Sequence, residues 1–352
     1  MKYHYKLNWV SARNKYVGKW LCFLMISMFV LAGCSQNGVT EGDAEKEQQD
    51  IQKCLFLAGE VLSESLQKES LEINQILPRE EENSGENITV EPEIIETDWS
   101  EYFDGFNGAA VVYDPSKEQY LIYHMEQALT RRPPCSTFKI ISSLTALENG
   151  MIEPDNSART WSGEVFWNEN WNQDIDFAGA FRASCVWYFR EVIDEVGREL
   201  MQEELDRLQY GNCDISDWEG RLNTNNNNRA LTGFWIESSL KISPKEQTEV
   251  MERIFGENSV YSEETRKELK QVMLVEDQDK TTFPIYGKTG MGKENGIVVD
   301  AWFTGFTEGA EGNLYFCIYL GRTDNRDVSS TVAKEIAINI VSDYYNQNVI
   351  RK

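Results

Sequence analysis

The stretch RRPPCSTFKI, residues 131–140, places a serine and a lysine three residues apart at the start of a predicted helix. This spacing puts Ser136 and Lys139 on one helix face. Backbone N–H groups at a helix start favour a developing negative charge, which makes Ser136 a candidate nucleophile. The apolar neighbours Phe138 and Ile140 are expected to lower the Lys139 pKa, so that this lysine can act as a base. S-x-x-K is a weak pattern alone, since a serine that caps a helix is common.

Histidine is nearly absent from the chain, which contains only His4 and His124. A Ser-His-Asp triad needs a histidine within reach of the serine. His124 lies at the end of a predicted strand and is expected to be structural. We therefore expect the base for Ser136 to be a lysine.

Composition limits the function classes. The chain has 352 residues, 41% of them hydrophobic, and a formal net charge of −24. This length and composition are typical of a globular protein with a sizeable core. The strong negative charge repels phosphate backbones, and no basic patch interrupts it, so we expect no nucleic-acid partner.

The N-terminal residues indicate export. Basic residues precede an apolar run over 20–32, which is shorter than a typical membrane-spanning helix. The run leads into the sequence LAGC, residues 31–34. This pattern resembles a bacterial lipoprotein signal, which implies a signal peptide over 1–33, lipidation of Cys34 and a membrane-anchored protein in the cell envelope. An uncleaved anchor helix or an ordinary signal peptide is the alternative. Residues 34–98 contain acidic runs and few aromatic residues, which predicts a largely disordered tether.

From residue 99 to 352 the composition is that of a folded domain. Strand-like runs lie at both ends, with candidate helices between them and an amphipathic helix from Ser330. We expect an α+β fold in which helices flank one antiparallel sheet and an inserted helical lobe forms a cleft with it. The predicted strands lie at 108–114, 119–124, 283–290, 296–306 and 313–320, and the central helices at 136–148, 184–196, 245–255 and 262–274.

The seven cysteines lack C-x-x-C spacing, so we expect no metal site. Exported cysteines can pair, and the pairing stays open. We favour buried free thiols that act as small hydrophobic side chains.

Several further motifs follow the serine in order. S-x-x-K with S-D-N and K-T-G is the signature of class A β-lactamases and penicillin-binding proteins, but the second element here is SCV, residues 184–186. The set PCSTFK, SCVW, YGN, FWIESSLKISPKEQ and YGKTG, with WNQD and DAWFTGF, resembles the class D serine β-lactamases. The resemblance extends from about residue 99 to the C-terminus and implies a β-lactamase/transpeptidase-like fold.

The resemblance implies a covalent mechanism. Ser136 attacks the lactam carbonyl, and Lys139 reacts with carbon dioxide, supplied by bicarbonate, to become the N6-carboxylysine that serves as the general base; no other cofactor is implied. Carbamylation needs a neutral amine in a dry pocket, which rationalises Val186 where related enzymes carry Asn. Trp235 matches the family tryptophan whose indole N–H holds the carbamate.

The resemblance also implies further site residues. Ser184 relays protons toward the leaving nitrogen. Lys288, Thr289 and Gly290 match the K-T-G strand that receives the substrate carboxylate, and the backbone N–H groups of Ser136 and Met291 form the oxyanion hole.

Three assignments are less direct. Tyr210 and Asn212, in YGN, match either substrate-binding residues at the site edge or packing residues. Arg322 is a weak candidate for the family arginine that binds the substrate carboxylate, since that place falls at Ser329 in a crude alignment. The asparagine-rich segment over 217–228 appears longer than usual for the family and predicts a polar loop that affects access to the cleft.

Three functions compete. The first is hydrolysis of β-lactams, which confers β-lactam resistance; the second is a penicillin-binding sensor that stays acylated; the third is a cell-wall D,D-peptidase or transpeptidase. One apolar segment and no H-E-x-x-H motif favour the hydrolase over the known membrane-protease sensors. Val186 and the Trp235 segment argue against the peptidase. The preferred β-lactams and the oligomeric state stay open.

Overall fold

The computed structural model describes residues 91–221, 228–275, 283–309 and 312–350, all within the compact unit Ile88–Lys352. The predicted signal peptide, Cys34 and most of the predicted tether lie outside these residues, as does the asparagine-rich tip over 222–227. Within the described ranges, no helix combines the length and the apolar character needed to cross a membrane.

Six strands form one sheet in the order β1-β3-β2-β6-β5-β4. Their bounds are β1 Glu93–Glu96, β2 Gly108–Asp114, β3 Gln119–Tyr123, β4 Ile285–Glu294, β5 Ile297–Gly309 and β6 Gly312–Gly321. The two predicted groups of strands, one near each end of the domain, are confirmed. They meet where β2 pairs with β6, so the sheet joins the two ends of the domain.

Nine α-helices belong to the described ranges. Their bounds are α1 Ser100–Phe103, α2 Met125–Leu129, α3 Lys139–Glu148, α4 Phe177–Arg182, α5 Val186–Val196, α6 Arg198–Leu208, α7 Pro244–Phe255, α8 Glu263–Met273 and α9 Ser330–Ile350. The central helices confirm the predicted ones to within a few residues. The largest difference is at α3, where a 3₁₀ turn over Cys135–Phe138 precedes the helix.

The expectation of a purely antiparallel sheet needs one correction. Strand β1 pairs with β3 in parallel, whereas the other four pairings are antiparallel. Because β1 lies before residue 99, the sheet also begins earlier than the predicted domain boundary. The sequence of β1, EIIE, is short and has a charged residue at each end, so it resembles the acidic segment before it. The strand could therefore not be predicted from the sequence.

The hydrophobic core lies on both faces of the sheet. One face packs against α9 through residues such as Val112, Phe316 and Ile336. The opposite face packs against α7 and the helical lobe, and Phe306 and Tyr315 belong to this second cluster. Side chains that alternate between faces along each strand supply both layers.

Strand β4 forms an edge of the sheet and faces the lobe, since it contacts the 3₁₀ turn that precedes α3. In the lobe, α3 is buried from Lys139 through Ala146. The K-T-G motif therefore lies on a sheet edge beside the S-x-x-K motif, with a cleft between the two.

Candidate active site

Ser136 lies in the 3₁₀ turn Cys135–Phe138, half-buried and on the wall of the cleft. The preceding Cys135 has φ 50°, which is left-handed and unusual for a residue with a side chain. Its N–H donates to the Trp235 carbonyl at 3.0 Å, which holds this conformation. Strained backbone of this kind concentrates at functional sites. The turn thus presents the serine hydroxyl to the cleft while its neighbours stay buried.

Lys139 begins α3 directly below the serine. Its Nζ donates to Ser136 Oγ at 3.0 Å, and the side chain is 1% exposed. The Phe189 ring lies 5.4 Å from the same nitrogen. Burial lowers the pKa of Lys139 to about 8, because an ammonium loses its hydration there. The ion pairs found among the described residues give Lys139 no carboxylate partner. The predicted contact between the two residues is therefore present, and the lysine has the depressed pKa that a base needs.

Lys288 on β4 is a second buried lysine, 5% exposed. Its Nζ donates to Ser184 Oγ at 3.1 Å and to the Thr289 carbonyl at 3.1 Å. Burial, and second the positive charge of Lys139, lower the pKa of Lys288 to about 7. Two serines and two lysines thus form two adjacent Ser–Lys pairs, through which protons can move.

Ser184 lies in the link between α4 and α5, with φ 55°. The WNQD motif fixes this link, because the Trp171 indole N–H donates to the Ala183 carbonyl at 2.9 Å. Trp171 is held in turn by Trp187, whose indole N–H donates to the Trp171 carbonyl at 2.9 Å. The WNQD motif, which supplies no catalytic group, therefore positions Ser184 opposite Lys288.

Gly290 explains the glycine of K-T-G. A Cβ at this position would lie 3.0 Å from both the Pro134 carbonyl oxygen and Thr137 Cγ2, which are atoms of the nucleophile turn. Only a residue without a side chain lets β4 come this close.

The cleft has a volume of about 470 Å³. The predicted site residues that line it are Ser136, Ser184, Val186, Thr289, Gly290 and Met291. Residues that the sequence analysis did not single out line it too, although Ile236 and Glu237 belong to the quoted motif FWIESSLKISPKEQ: Trp167, Asn168, Leu231, Ile236, Glu237, Lys293, Gly296 and Ser330. Leu231 follows the asparagine-rich segment over 217–228, whose tip lies outside the described residues, so the effect of that segment on access to the cleft stays a prediction.

Trp235 does not line the cleft. Its ring is buried and stacks against Phe138, with ring centroids 6.0 Å apart, so it packs against the residue that links Ser136 to Lys139. In the described part of the chain, its indole N–H makes no hydrogen bond to Lys139. The predicted contact with a carbamate on Lys139 stays a prediction.

Tyr210 and Asn212 are also absent from the cleft lining. Tyr210 is fully buried, with its ring against the edge of Phe138. Asn212 donates to the Ser239 carbonyl at 2.9 Å and accepts from the Lys241 N–H at 2.8 Å. Their placement fits packing and loop support, the alternative left open for YGN, rather than contact with substrate.

Arg322 does not reach the cleft lining either. Its guanidinium pairs with Asp327 at 2.9 Å. The basic side chain that lines the cleft is Lys293, at the end of β4. The sequence alignment indicated Arg322 because the family arginine lies near the last helix. Lys293 was not considered, because it follows K-T-G along β4.

His124 is structural, as expected. Its Nδ1 lies 2.9 Å from the Gly108 carbonyl oxygen, its ring stacks on Tyr123, and it does not line the cleft. The cysteines within the described ranges are free thiols; Cys135, Cys185 and Cys317 are buried, as expected, whereas Cys213 is only half-buried.

The family is established by comparison with known proteins. Residues 108–342 match the model of the penicillin binding protein transpeptidase domain. The chain therefore belongs to the family of penicillin-binding transpeptidase domains, which also contains serine β-lactamases.

Its relatives within that family are of two kinds. The probable β-lactamase YbxI of Bacillus subtilis (strain 168) is 31% identical over 69% of this chain and 82% of its own length. A class D β-lactamase structure from Bacillus subtilis matches with a TM-score of 0.59 and 30% identity, over 70% of this chain and 95% of the other. The regulatory protein BlaR1 of Bacillus licheniformis is 29% identical over 69% of this chain, but the match spans only 38% of BlaR1.

Proposed function

We propose that this protein hydrolyses β-lactams through an acyl-enzyme on Ser136, with Lys139 carbamylated by carbon dioxide as the general base. The environment of Lys139 carries the proposal. A lysine that is 1% exposed, has a pKa near 8 and lies 3.0 Å from the serine hydroxyl can be neutral at physiological pH, and only a neutral amine attacks carbon dioxide.

Each half of the reaction conserves its protons. The carbamate on Lys139 accepts the Ser136 hydroxyl proton while the Ser136 oxygen bonds to the lactam carbonyl carbon. The lactam C–N bond then breaks, and the proton that the carbamate took from Ser136 passes by way of Ser184 to the nitrogen, which returns the carbamate to its basic form; Lys288 donates a hydrogen bond to Ser184. In the second half, the carbamate takes a proton from water, the water oxygen bonds to the acyl carbon, and the ester bond to Ser136 breaks as its oxygen regains a proton.

The oxyanion formed at each addition is stabilised by the N–H groups of Ser136 and Met291, in our proposal. One such donor contributes about 3 to 4 kcal/mol in comparable sites. Thr289 and Lys288 bind the substrate carboxylate in our proposal: the Thr289 hydroxyl lines the cleft, and Lys288, which does not line it, lies behind with its Nζ 3.4 Å from that hydroxyl.

The second candidate is a penicillin sensor, and the similarity to BlaR1 favours it. Both candidates use the same Ser136 acylation and differ in the fate of the acyl-enzyme. Lasting acylation requires that the base lose its competence after the first step, for example by loss of the carbamate. The buried Lys139 and the apolar Val186 at the cleft support retention of the carbamate and therefore turnover.

We further propose export, with lipidation of Cys34 as the membrane anchor. The support is the pattern of basic residues, apolar run and LAGC at 31–34. Mass spectrometry of the membrane fraction would find a diacylglyceryl group on Cys34, and Cys34→Ala would release the protein.

The decisive experiment follows a chromogenic cephalosporin in large excess with the purified protein, with and without bicarbonate, beside Ser136→Ala and Lys139→Ala. We expect sustained turnover that bicarbonate accelerates, no labelling of Ser136→Ala by a fluorescent penicillin, and slow acylation and deacylation in Lys139→Ala. A burst that stops near one product per protein would replace the hydrolase with the sensor. Release of D-alanine from a peptide ending in D-Ala-D-Ala would instead indicate the peptidase.

A further inference from the structure

Trp167 is an exposed aromatic residue on the lobe side of the cleft. It is 69% exposed, although it lines the cleft and lies 4.9 Å, between ring centroids, from the buried Trp171. A large apolar side chain left in water at a concave site is typical of a contact surface for a ligand.

Lys293 meets Trp167 from the opposite wall. Its Nζ lies 5.4 Å from the Trp167 ring centroid, which is within the range of a cation–π contact. The Lys293 backbone is held in turn, since its N–H donates to the Glu237 carboxylate at 2.6 Å. Trp167 and Lys293 therefore touch across the cleft mouth, and we call them the rim pair.

The position of the rim pair on β4 specifies which part of a substrate reaches it. Since β4 is the edge strand on this side, its outer backbone groups can pair with an amide in the manner of an added strand. A β-lactam whose carbonyl lies at Ser136 and whose acylamino group pairs with β4 directs its side chain along the strand. Thr289, Met291 and Lys293 line the cleft in that order, so the substituent passes Met291, which is 47% exposed, before it meets the rim pair.

We propose that the rim pair binds an aromatic ring on the acylamino side chain of the β-lactam, with Trp167 as the stacking surface and Lys293 as the group that orients Trp167. The inference rests on the proposed function, because it assumes that β-lactams acylate Ser136. It adds a determinant of specificity that the sequence motifs do not contain.

The test compares two penicillins that differ only in the ring: benzylpenicillin, which carries a phenylacetamido group, and 6-acetamidopenicillanic acid, which keeps the amide and lacks the ring. The measured quantity is the second-order acylation constant of each, obtained by competition with a fluorescent penicillin. Trp167→Ala should lower the constant for benzylpenicillin about fivefold to tenfold, the range that one aromatic pair is worth. The constant for the acetamido compound should change less than about twofold on the same basis, since it has no ring to lose.

Three further variants complete the design. Trp167→Phe keeps a ring and should restore most of the preference for benzylpenicillin. Lys293→Ala should lose part of the preference by releasing Trp167. Val165→Ala is the matched control, because Val165 is 80% exposed, two residues from Trp167 and absent from the cleft lining, so the preference should stay at the wild-type value.

The outcomes separate the two proposals. Normal acylation with the same preference in wild type and Trp167→Ala would overturn the rim-pair inference and leave the proposed function intact. An equal loss for both penicillins would also overturn it, since the residue would then support the site in general. If neither penicillin acylates the wild-type protein, the proposed function fails and the inference fails with it.

Discussion

The rate at which Lys139 takes up carbon dioxide should depend on pH in a way set by its burial. Because burial lowers its pKa from 10.5 to about 8, ~9% of the side chain is neutral at pH 7, against ~0.03% for an ordinary lysine. The gain of about 300-fold corresponds to about 3 kcal/mol of penalty on the ammonium. At fixed dissolved carbon dioxide, the carbamylation rate is proportional to this neutral fraction.

The assay starts from protein whose carbamate has been removed at low pH. The sample is moved to a series of pH values at one concentration of dissolved carbon-13 dioxide, and incorporation is followed by nuclear magnetic resonance. We expect the rate to rise about tenfold per pH unit below 8 and to level off above it. Lys139→Ala should lose the signal, whereas Ser136→Ala, which keeps the lysine in its pocket, should retain it.

A rate that still rises tenfold per unit between pH 8.5 and 9.5 would refute the reasoning, because it would mean that the Lys139 pKa is close to that of an exposed lysine. A signal that persists in Lys139→Ala would refute it too, since the carbamate would then form on another residue.

Three other changes test neighbouring parts of the site. Trp235→Ala should still be acylated. If the indole holds the carbamate, the acyl-enzyme of this variant should last at least about tenfold longer, as measured by intact-protein mass spectrometry. An unchanged lifetime would contradict that role of Trp235. Bicarbonate should raise the pKa of Lys288 above its value near 7, because a negatively charged carbamate replaces the positive charge on Lys139 that lowers this pKa. Nuclear magnetic resonance of lysine-labelled protein should show the rise in wild type and not in Lys139→Ala. Arg190→Ala should lower the free energy of unfolding, measured by urea denaturation, by about 2 kcal/mol, because Arg190 is buried with its guanidinium 5.4 Å from the Trp235 ring centroid. The control Arg221→Ala removes an exposed side chain and should change the free energy of unfolding by less than about 0.5 kcal/mol.

The elements that the sequence predicted are those with a strong local pattern. Continuous apolar runs predicted β2 and β6, and S-x-x-K predicted the pairing of Ser136 with Lys139, because both patterns involve residues close in the chain. The hydrogen bond between Lys288 and Ser184 joins distant segments; the resemblance to a known family indicated both residues as site residues, but it did not predict their contact.

The features that the sequence did not predict depend on contacts between distant segments without a motif. The parallel strand β1 is too short to show a period, and the contact between Trp167 and Lys293 has no counterpart in the quoted motifs. Arg322 was proposed because it is an arginine near the last helix, where the family arginine lies. In the structure its guanidinium pairs with Asp327 instead.

The order of strands has a practical consequence for handling the protein. The described chain enters the sheet at β1, and the catalytic strand β4 lies at the opposite edge, five strand spacings or about 24 Å away. An affinity tag, a fluorophore or a surface linkage placed just upstream of Glu93 therefore joins the sheet at the edge remote from Ser136. Immobilised protein should keep the acylation rate of free protein, which makes a sensor chip coupled at this end a direct way to count β-lactam molecules as they bind.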